Sequence, residues 1–246
     1  MPLNGQGRPS GWIPGTVPDL KLWKKLAAKY TGPRRRGLEP SDLRSAVRRP
    51  RFPSGRELRA EFIRKGIHIL IALVPALSAL NRSHTALLLM GGVLFYAWAE
   101  GMRFLGFFPP LVSSVTAAVL RKREEGRFAL GPITLGLGAL LALLFFPPRV
   151  AAVAVYVLAF GDSAATLVGR FLGRTRPAFM AGKSLEGSLA CFVTAALSSF
   201  LVFRDWRTAL ATGLASMLAE ALPFEDFDNL ILPLAAGFAA LLFQSS

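Results

Sequence analysis

The stretch VAAVAVYVLAFGDSAATLVGRFLGR, residues 150–174, joins an apolar run of nearly membrane length to a single carboxylate. A helix needs roughly 20 apolar residues to cross a bilayer, and Val150–Val168 approaches that length. Asp162 interrupts the run. A carboxylate inside a membrane helix is costly and therefore indicates a functional residue. The alternative interpretation is a structural pairing of Asp162 with a basic neighbour.

The composition extends this interpretation to the whole chain of 246 residues. Hydrophobic residues make up 52%, the mean hydropathy is +0.44, and only 18% of residues are charged, whereas soluble proteins carry about 25%. So much apolar surface excludes disorder of the whole chain. Cys191 is the only cysteine, which excludes a disulfide-linked scaffold and is typical of inert packing.

Seven apolar runs predict an all-α fold, a polytopic integral membrane helical bundle with about seven transmembrane helices. The runs are Ile67–Leu80, Thr85–Ala99, Phe128–Phe146, Val150–Val168, Leu185–Phe203, Thr208–Leu222 and Leu230–Phe243. Phe104–Arg127 is predicted to be a cytoplasmic interfacial helix instead, because it ends in the charged run RKREEGR, which includes Glu124.

The N-terminal residues 1–55 form a basic arm that contains many prolines and glycines. Since this arm leads directly into apolar segments, we expect it to bind anionic lipid headgroups from the cytoplasm, and we expect no nucleic acid as a partner. Asp19–Tyr30 fits either an amphipathic surface helix or a solvated arm. Residues 56–246 are predicted to form the transmembrane catalytic domain.

A cytoplasmic N-terminus predicts where each loop lies. Three short loops fall outside: Asn81–His84, Pro147–Arg149 and Arg204–Arg207. The loops that fall inside contain most of the ionisable residues, including Glu100 and Arg103, the run 121–127, and the segments Gly169–Ser184 and Pro223–Asn229. No charge rule requires acidic groups to join the basic ones, so the pattern predicts a single cytoplasmic site.

Around Asp162, the motif AFGDSAATLVGRFLGR contains small residues and two arginines. Gly161 permits a close approach of another helix or of a ligand. Arg170 and Arg174 have i, i+4 spacing, which predicts one helical face that either binds phosphates or anchors the topology.

A second motif, GKSLEGSLACF, covers residues 182–192. It is not a P-loop, because Pro177 stands where that pattern needs a glycine. Gly182 and Lys183 still suit a phosphate, and Ser184 is predicted to cap a helix whose N-terminus attracts anions. Glu186 either pairs with Lys183 or caps the same helix.

A third motif, EALPFEDFDNL, concentrates carboxylates at residues 220–230. Glu220, Asp226 and Asp228 offer the hard oxygen ligands that Mg²⁺ prefers. The alternative is a solvated acidic turn.

A fourth motif, ELRAEFIRKGIHIL, begins the first apolar run. Glu61, Arg64, Lys65 and His68 have i, i+3, i+4 and i+7 spacing and so share one helical side. His68 is either a base or a packed polar residue. Glu100 and Arg103 repeat the acid-then-arginine spacing in WAEGMRF.

These motifs together resemble the polyprenol kinase family of CTP-dependent lipid kinases, which includes dolichol kinase, phytol kinase and CTP-dependent diacylglycerol kinase. The resemblance rests on FGDSAATLVGRFLGR, GKSLEGSLACF and EALP…DN, with ExxRKxxH at Glu61–His68 and ExxR at Glu100–Arg103, and it covers residues 57–243. The related phosphatidate cytidylyltransferases usually carry an HGG…DRxD signature near the C-terminus, which this sequence lacks. The family tends to show Asp-Asp-Asn where this chain reads Phe227-Asp228-Asn229.

The resemblance implies transfer of the γ-phosphate of CTP, with Mg²⁺, to the hydroxyl of a lipid alcohol such as dolichol or another polyprenol, phytol or diacylglycerol. The implied metal ligands are Asp162, Asp226 and Asp228, with Glu220 as metal support or base. The implied nucleotide and phosphate contacts are Gly161, Arg64, Lys65, Arg170, Arg174, Gly182, Lys183, Ser184 and Asn229; Glu61, His68, Glu100, Arg103, Glu124 and Glu186 are further polar candidates. A cytidylyltransferase is the nearest alternative and a transporter a more distant one, although no inverted repeat supports transport.

Overall fold

The computed structural model describes residues 55–105, 128–177, 180–224 and 227–244, with side chains from residue 62 onward except that of residue 104. Within these ranges every regular element is helical. Several predictions lie outside the described residues: the arm 1–54, the interfacial helix beyond residue 105, the side chain of Glu61, and Glu124 and Asp226.

The helices coincide with the seven predicted apolar runs. They are α1 Gly55–Leu70, a 3₁₀ turn Ile71–Leu73, α2 Val74–Leu80, α3 Arg82–Phe104, α4 Gly131–Phe145, α5 Pro148–Tyr156, a π-helical segment Val157–Gly161, α6 Asp162–Phe171, α7 Leu185–Phe203, α8 Trp206–Ala221 and α9 Asp228–Phe243. The first and fourth runs are each continuous rods built from consecutive helical pieces. The prediction of an all-α bundle is confirmed.

Four rods in the described ranges are long and apolar enough to cross a membrane: residues 62–80, 82–103, 148–171 and 185–203. Helices α4 and α9 are apolar but shorter, and α8 has 16 residues. These rods confirm the prediction of an integral membrane protein. The number of crossings stays a prediction.

The bundle has an apolar outer surface as well as an apolar core, unlike a soluble protein. The centre is built from α4, α5, the π segment and α9, where small and branched side chains such as Ala139, Val153 and Ala236 are fully buried. Phe146 closes this core with an edge-to-face contact to Phe238 at 5.1 Å between ring centroids. Leucines on the outer faces, Leu88 among them, are exposed, which suits helices surrounded by lipid.

The loops gather at two opposite ends of the bundle. At one end the Arg82 guanidinium donates to the carbonyl oxygens of Leu143 and Phe146, the latter at 2.7 Å, so the loops after α2 and α4 are neighbours. At that end too, the Thr208 hydroxyl donates to the Phe243 carbonyl at 2.8 Å. The loops predicted to lie outside therefore share one end, and the functional motifs lie towards the other.

Helices α6 and α7 cross at small residues. A Cβ atom added to Gly187 would lie 2.7 Å from the Ala165 carbonyl oxygen and 3.2 Å from the Gly169 Cα. Such distances leave no room for a side chain at the crossing. The small residues therefore bring the helix that carries Asp162 close to the helix that follows Lys183, as is common where membrane helices pack.

We expect Gly187→Ala to destabilise the protein by about 1–3 kcal/mol, because the added methyl group meets backbone on the facing helix. Gly91→Ala is the matched control: it also lies within a helix, and its added Cβ would meet nothing within 4 Å. Thermal unfolding in one detergent measures both. Equal melting temperatures for the two variants would contradict the close crossing.

Asp205 begins α8 as a capping residue at the end of the bundle away from the functional motifs. Its carboxylate accepts hydrogen bonds from the Thr208 hydroxyl, the Thr208 N–H at 2.9 Å and the Arg207 N–H at 3.3 Å. The Thr208 hydroxyl is the main cause that holds the pKa of Asp205 below its ordinary value of 3.8. The charged form is therefore favoured in the folded protein.

This shift predicts a dependence of stability on pH. A carboxylate whose pKa is lowered by folding stabilises the protein above its unfolded-state pKa, and the contribution disappears as the pH falls through the folded-state pKa. The melting temperature of the wild type should therefore fall on acidification below the ordinary value of 3.8. Asp205→Asn, which keeps a capping side chain, should lose less over the same window. Parallel curves for the two proteins would contradict the role of Asp205.

Candidate active site

Asp162 lies at a junction of three helical pieces. It begins α6 directly after the π segment, and Lys65 and His68 face it from α1. The Lys65 ammonium donates to the Asp162 carboxylate and to its backbone carbonyl at 3.3 Å. Nδ1 of His68 lies 3.1 Å from Oδ2 of Asp162. The predicted shared face of Lys65 and His68 is thus observed.

The three side chains differ in exposure. The Lys65 side chain is 3% exposed and that of His68 is 8% exposed, whereas the Asp162 side chain retains 19%. Lys65 and His68 therefore cover one side of the carboxylate, and its other side remains accessible. The structural interpretation of Asp162, a pairing with a basic neighbour, is realised in this contact, and the partly open carboxylate is still available to a ligand.

Lys183 organises a second group of contacts. Its ammonium donates to Oδ2 of Asp228 at 2.9 Å, to the Leu222 carbonyl at 2.9 Å and to the Glu220 carbonyl. It also lies 3.9 Å from the carboxylate of Glu220. One lysine thus connects the loop before α7 with the end of α8 and the start of α9.

Glu220 is fixed by the neighbouring helix. The Ser188 hydroxyl, fully buried on the second turn of α7, donates to the Glu220 carboxylate. Helices α7 and α8 pack along each other here. Ser188 could not be singled out from its sequence context, because a serine in an apolar helix usually bonds to its own backbone.

The two groups form one charged site. Asp162 is close enough to both Glu220 and Asp228 for the three carboxylates to repel one another, and Lys65 and Lys183 offset that repulsion. Cys191 lies among them, fully buried, with its sulfur 3.3 Å from the position of a Cβ on Gly161. The structure thus brings together Asp162, Lys183, Glu220 and Asp228, to which the resemblance assigns metal, base and phosphate roles.

The suitability of the site for a divalent cation depends on which carboxylate oxygens lack a hydrogen-bond partner. Oδ1 of Asp228 is buried and has no hydrogen-bond partner, while Oδ2 is held by Lys183. An oxygen in that position fits a hard cation, which takes carboxylate ligands. In the part of the chain that is described, no three His, Cys, Asp or Glu side chains form a group that would hold a metal by themselves.

The Asn229 side chain forms hydrogen bonds within the protein. Its amide donates to the Thr134 hydroxyl at 3.0 Å and to the Gly131 carbonyl at 3.3 Å, which ties the start of α9 to the start of α4. The backbone carbonyl oxygen of Asn229 occupies the space that a Cβ on Gly138 would need. These contacts fix the backbone next to Asp228.

The loop between α6 and α7 is held by its own side chains. Glu186 accepts from the Thr175 N–H at 3.0 Å instead of pairing with Lys183, and Ser184 caps α7 by accepting from the Gly187 N–H at 3.1 Å, as predicted. Arg176 donates to the carbonyls of Gly169, at 2.8 Å, and Gly182. Gly182 has a φ of +94°, a conformation that other residues rarely adopt.

The predicted common face of Arg170 and Arg174 is wrong. Helix α6 ends at Phe171 and residues 173–177 are irregular, so Arg174 lies exposed in the connection to α7 and not one turn along the helix. The chain is closely packed at this point, because the Arg176 guanidinium donates to the Gly169 carbonyl and a Cβ on Gly173 would not fit against Ser184.

Glu100 and Arg103 form a separate contact. The guanidinium binds both carboxylate oxygens, with Nε 2.7 Å from Oε2. The Ala129 N–H donates to the same carboxylate at 2.8 Å, and Glu100 is fully buried. This pair therefore joins the end of α3 to the residues that lead into α4. Arg64, which lies beside Lys65 on α1, is half-buried.

The π segment was not predicted. It adds a residue to the turn before Asp162, and such insertions are frequent at functional sites. The sequence between Val150 and Phe171 has the pattern of one apolar helix, and only Gly161, the last residue of the π segment, indicates unusual packing.

Comparisons with known proteins agree with the motifs. The chain is 38% identical over 91 residues to CTP-dependent diacylglycerol kinase 1 of Eremothecium gossypii, and the alignment covers 37% of this chain and 28% of that protein. It is 27% identical over 170 residues to CTP-dependent diacylglycerol kinase 1 of Schizosaccharomyces pombe, covering 62% and 73%. It is 32% identical over 158 residues to a probable chloroplastic phytol kinase of Triticum aestivum, covering 56% and 51%.

The extent of these alignments differs. The chain spans little more than a quarter of the Eremothecium protein and about half of the wheat protein. No protein-family model and no solved structure matches it. These relatives carry the names of two kinds of kinase in the family that the motifs resemble, and the chain is therefore similar in sequence to proteins named as lipid kinases.

Proposed function

We propose that this chain is a membrane lipid kinase that transfers the γ-phosphate of CTP to the hydroxyl group of a lipid alcohol, with diacylglycerol and phytol as the first candidates. One observation carries the proposal: three carboxylates, on Asp162, Glu220 and Asp228, meet two lysines towards one end of an apolar helical bundle. The names of the relatives support both the donor and the acceptors.

The lysines supply the positive charge that a triphosphate needs. Lys183 has an exposed fraction of 23% and is held by oxygens from two other segments, so its ammonium is positioned before any ligand arrives. Positioned charge is the main contribution that a protein makes to phosphoryl transfer. Lys183 therefore binds the phosphates of CTP in this proposal.

The carboxylates fit Mg²⁺. Asp228 would hold it through the oxygen that lacks a partner, together with Asp162 and with Asp226, which lies outside the described residues. When bound, Mg²⁺ neutralises charge on the phosphates and orients them. Glu220, held by Ser188, would support this arrangement or accept a proton from the hydroxyl group.

Asp162 is the residue best placed to orient the lipid hydroxyl. It stands nine residues before the end of α6, which at 1.5 Å per residue is about 14 Å along the rod. Lys65 and His68 contact the carboxylate from α1 and hold it in place. In this proposal the lipid brings its hydroxyl group to Asp162 from the bilayer.

The proposed orientation places this site on the cytoplasmic side. The basic N-terminal arm would face the same side and bind anionic headgroups. Nucleotide would then reach the site from the cytoplasm while the lipid arrives from the bilayer.

A labelling experiment tests the proposed function. The purified full chain in detergent is given Mg²⁺, a panel of dioleoylglycerol, phytol, dolichol and phosphatidic acid, and CTP labelled at either the γ- or the α-phosphate. We expect label in a lipid alcohol from the γ position only, and its loss when EDTA removes Mg²⁺. Label from the α position into phosphatidic acid would make the protein a cytidylyltransferase. Labelling from ATP but not from CTP would overturn the proposed donor.

A further inference from the structure

The Lys183 ammonium uses all of its hydrogen-bond donors within the protein. It donates to the Glu220 carbonyl, to the Leu222 carbonyl at 2.9 Å and to Oδ2 of Asp228 at 2.9 Å. A lysine ammonium carries three N–H donors and accepts no hydrogen bond. Lys183 can therefore donate to a phosphate only if one of these three contacts is given up.

Two of the three contacts belong to the end of a helix. Helix α8 ends at Ala221, so the carbonyls of Glu220 and Leu222 lie at its C-terminal end. Lysine side chains commonly bind the last carbonyls of a helix, where the helix dipole favours a cation. We therefore expect the ammonium to keep these two contacts when a ligand binds.

The third contact is open to replacement. The side chains of Lys183 and Asp228 are 23% and 24% exposed, so a ligand can reach both, whereas Lys65 in the neighbouring ion pair is only 3% exposed. Oδ1 of Asp228 is buried and has no hydrogen-bond partner among the described residues. The carboxylate thus has one oxygen on Lys183 and one that suits a hard cation.

A divalent cation and the Lys183 ammonium would compete for this carboxylate. The two carry charge of the same sign, so each weakens the binding of the other to Asp228. A cation that binds both oxygens of the carboxylate releases the third N–H of Lys183. Because Mg²⁺ commonly connects carboxylates to substrate phosphates, phosphate oxygens would then lie beside the released donor.

We propose that Asp228 exchanges Lys183 for Mg²⁺ when nucleotide binds, and that the N–H released from Asp228 then donates to the phosphates. The proposal deepens the proposed function and rests on it for the identity of the nucleotide. Without the cation, the carboxylate holds the ammonium and free CTP is bound without help from Lys183. The pair of Lys183 and Asp228 therefore selects the magnesium complex of the nucleotide over the free nucleotide.

Equilibrium binding of β,γ-methylene-CTP, whose γ-phosphate is not transferred, tests the exchange. The purified full chain in detergent is measured in EDTA and in Mg²⁺, together with Lys183→Met, Asp228→Asn and the double variant. Glu220→Gln is the matched control, since the Glu220 carboxylate belongs to the same site but lies 3.9 Å from the Lys183 ammonium. Asp228→Ala repeats the measurement if Asp228→Asn fails to fold.

In Mg²⁺, Lys183→Met should weaken binding of the analogue about 30-fold, the effect of a lost hydrogen bond to a charged group. In EDTA the same substitution should change the Kd little, because Asp228 then holds the ammonium. Asp228→Asn should tighten binding in EDTA about tenfold, because a neutral amide holds a cation less strongly than a carboxylate does. The double variant should lose this gain, since it has no ammonium to release.

Two kinds of result would overturn the exchange. A gain from Asp228→Asn that persists in the double variant, or that Glu220→Gln reproduces in full, would show a general effect of negative charge on nucleotide binding. No gain from Asp228→Asn in EDTA, or equal effects of Lys183→Met in EDTA and in Mg²⁺, would show that Asp228 does not withhold Lys183 from the nucleotide.

The readout separates this proposal from the proposed function, since binding of the analogue needs no phosphoryl transfer. If the wild type transfers no γ-phosphate to any lipid alcohol and the expected pattern of binding is observed, the kinase assignment fails and the exchange stands. If the wild type phosphorylates a lipid alcohol and the pattern is not observed, the exchange fails alone.

Discussion

Asp162→Asn should lower the kcat for lipid phosphorylation by at least about a hundredfold, the size of effect seen when one preorganised electrostatic contact is removed from an active site. The change keeps the shape of the side chain but removes the charge that would orient the hydroxyl and hold the cation. It also leaves Lys65 and His68 without their shared anionic partner. Initial rates with γ-labelled CTP and a saturating lipid alcohol measure the effect.

A second variant separates chemistry from folding. Removal of one partner from a buried ion pair costs about 3–5 kcal/mol, whereas replacement of both partners is often neutral. Lys65→Met combined with Asp162→Asn should therefore recover much of the stability that Asp162→Asn loses, and it should remain inactive. Recovery of activity together with stability would show that Asp162 only supports the fold.

Asp205→Asn provides a control for the loss of a carboxylate away from the site. Asp205 caps α8 at the end of the bundle away from the site, and asparagine caps a helix about as well as aspartate. We expect wild-type activity near neutral pH from this variant. A large loss of activity would mean that any disturbance of the bundle stops turnover, and the effect of Asp162→Asn would then carry no information about the site.

The helical rods were predictable because apolar runs of this length leave few alternatives. Backbone groups inside a membrane must bond within their own segment, which makes a helix the expected structure for every such run. The end of α6 was not predictable in the same way. Just beyond that end Gly173 packs against Ser184, and no local pattern reports a contact between residues on either side of a loop.

The residues of the candidate site could be predicted from the sequence, but the contacts between them could not. A carboxylate in an apolar run identified Asp162, and a proline-broken acidic stretch identified Asp228, from the sequence alone. The partners depend on which helices become neighbours. Lys65 meets Asp162 across 97 positions of sequence, and Lys183 meets Asp228 across 45. Ser188 and Arg176 escaped notice because their roles exist only once α8 and the α6–α7 loop are in place.

Lys183→Met should raise the KM for CTP about 30-fold, which corresponds to the roughly 2 kcal/mol expected for a lost hydrogen bond to a charged group. The ammonium is the only charged part of this side chain, and methionine keeps its length up to Cε. The KM for the lipid alcohol should change little, because the lipid hydroxyl is oriented from Asp162. Initial rates over a range of CTP concentrations measure the effect.

Lys183 also holds the carbonyls of Glu220 and Leu222, so its loss disturbs the backbone as well as the charge. Arg176→Met is the matched control, since Arg176 is a cation of the same loop and binds two backbone carbonyls. If Arg176→Met raises the KM for CTP as much as Lys183→Met, the order of the loop and not the charge of Lys183 governs nucleotide binding. A normal KM in Arg176→Met, with partial recovery in Lys183→Arg, assigns the effect to a positive charge beside Asp228 and places the triphosphate between α7 and α9.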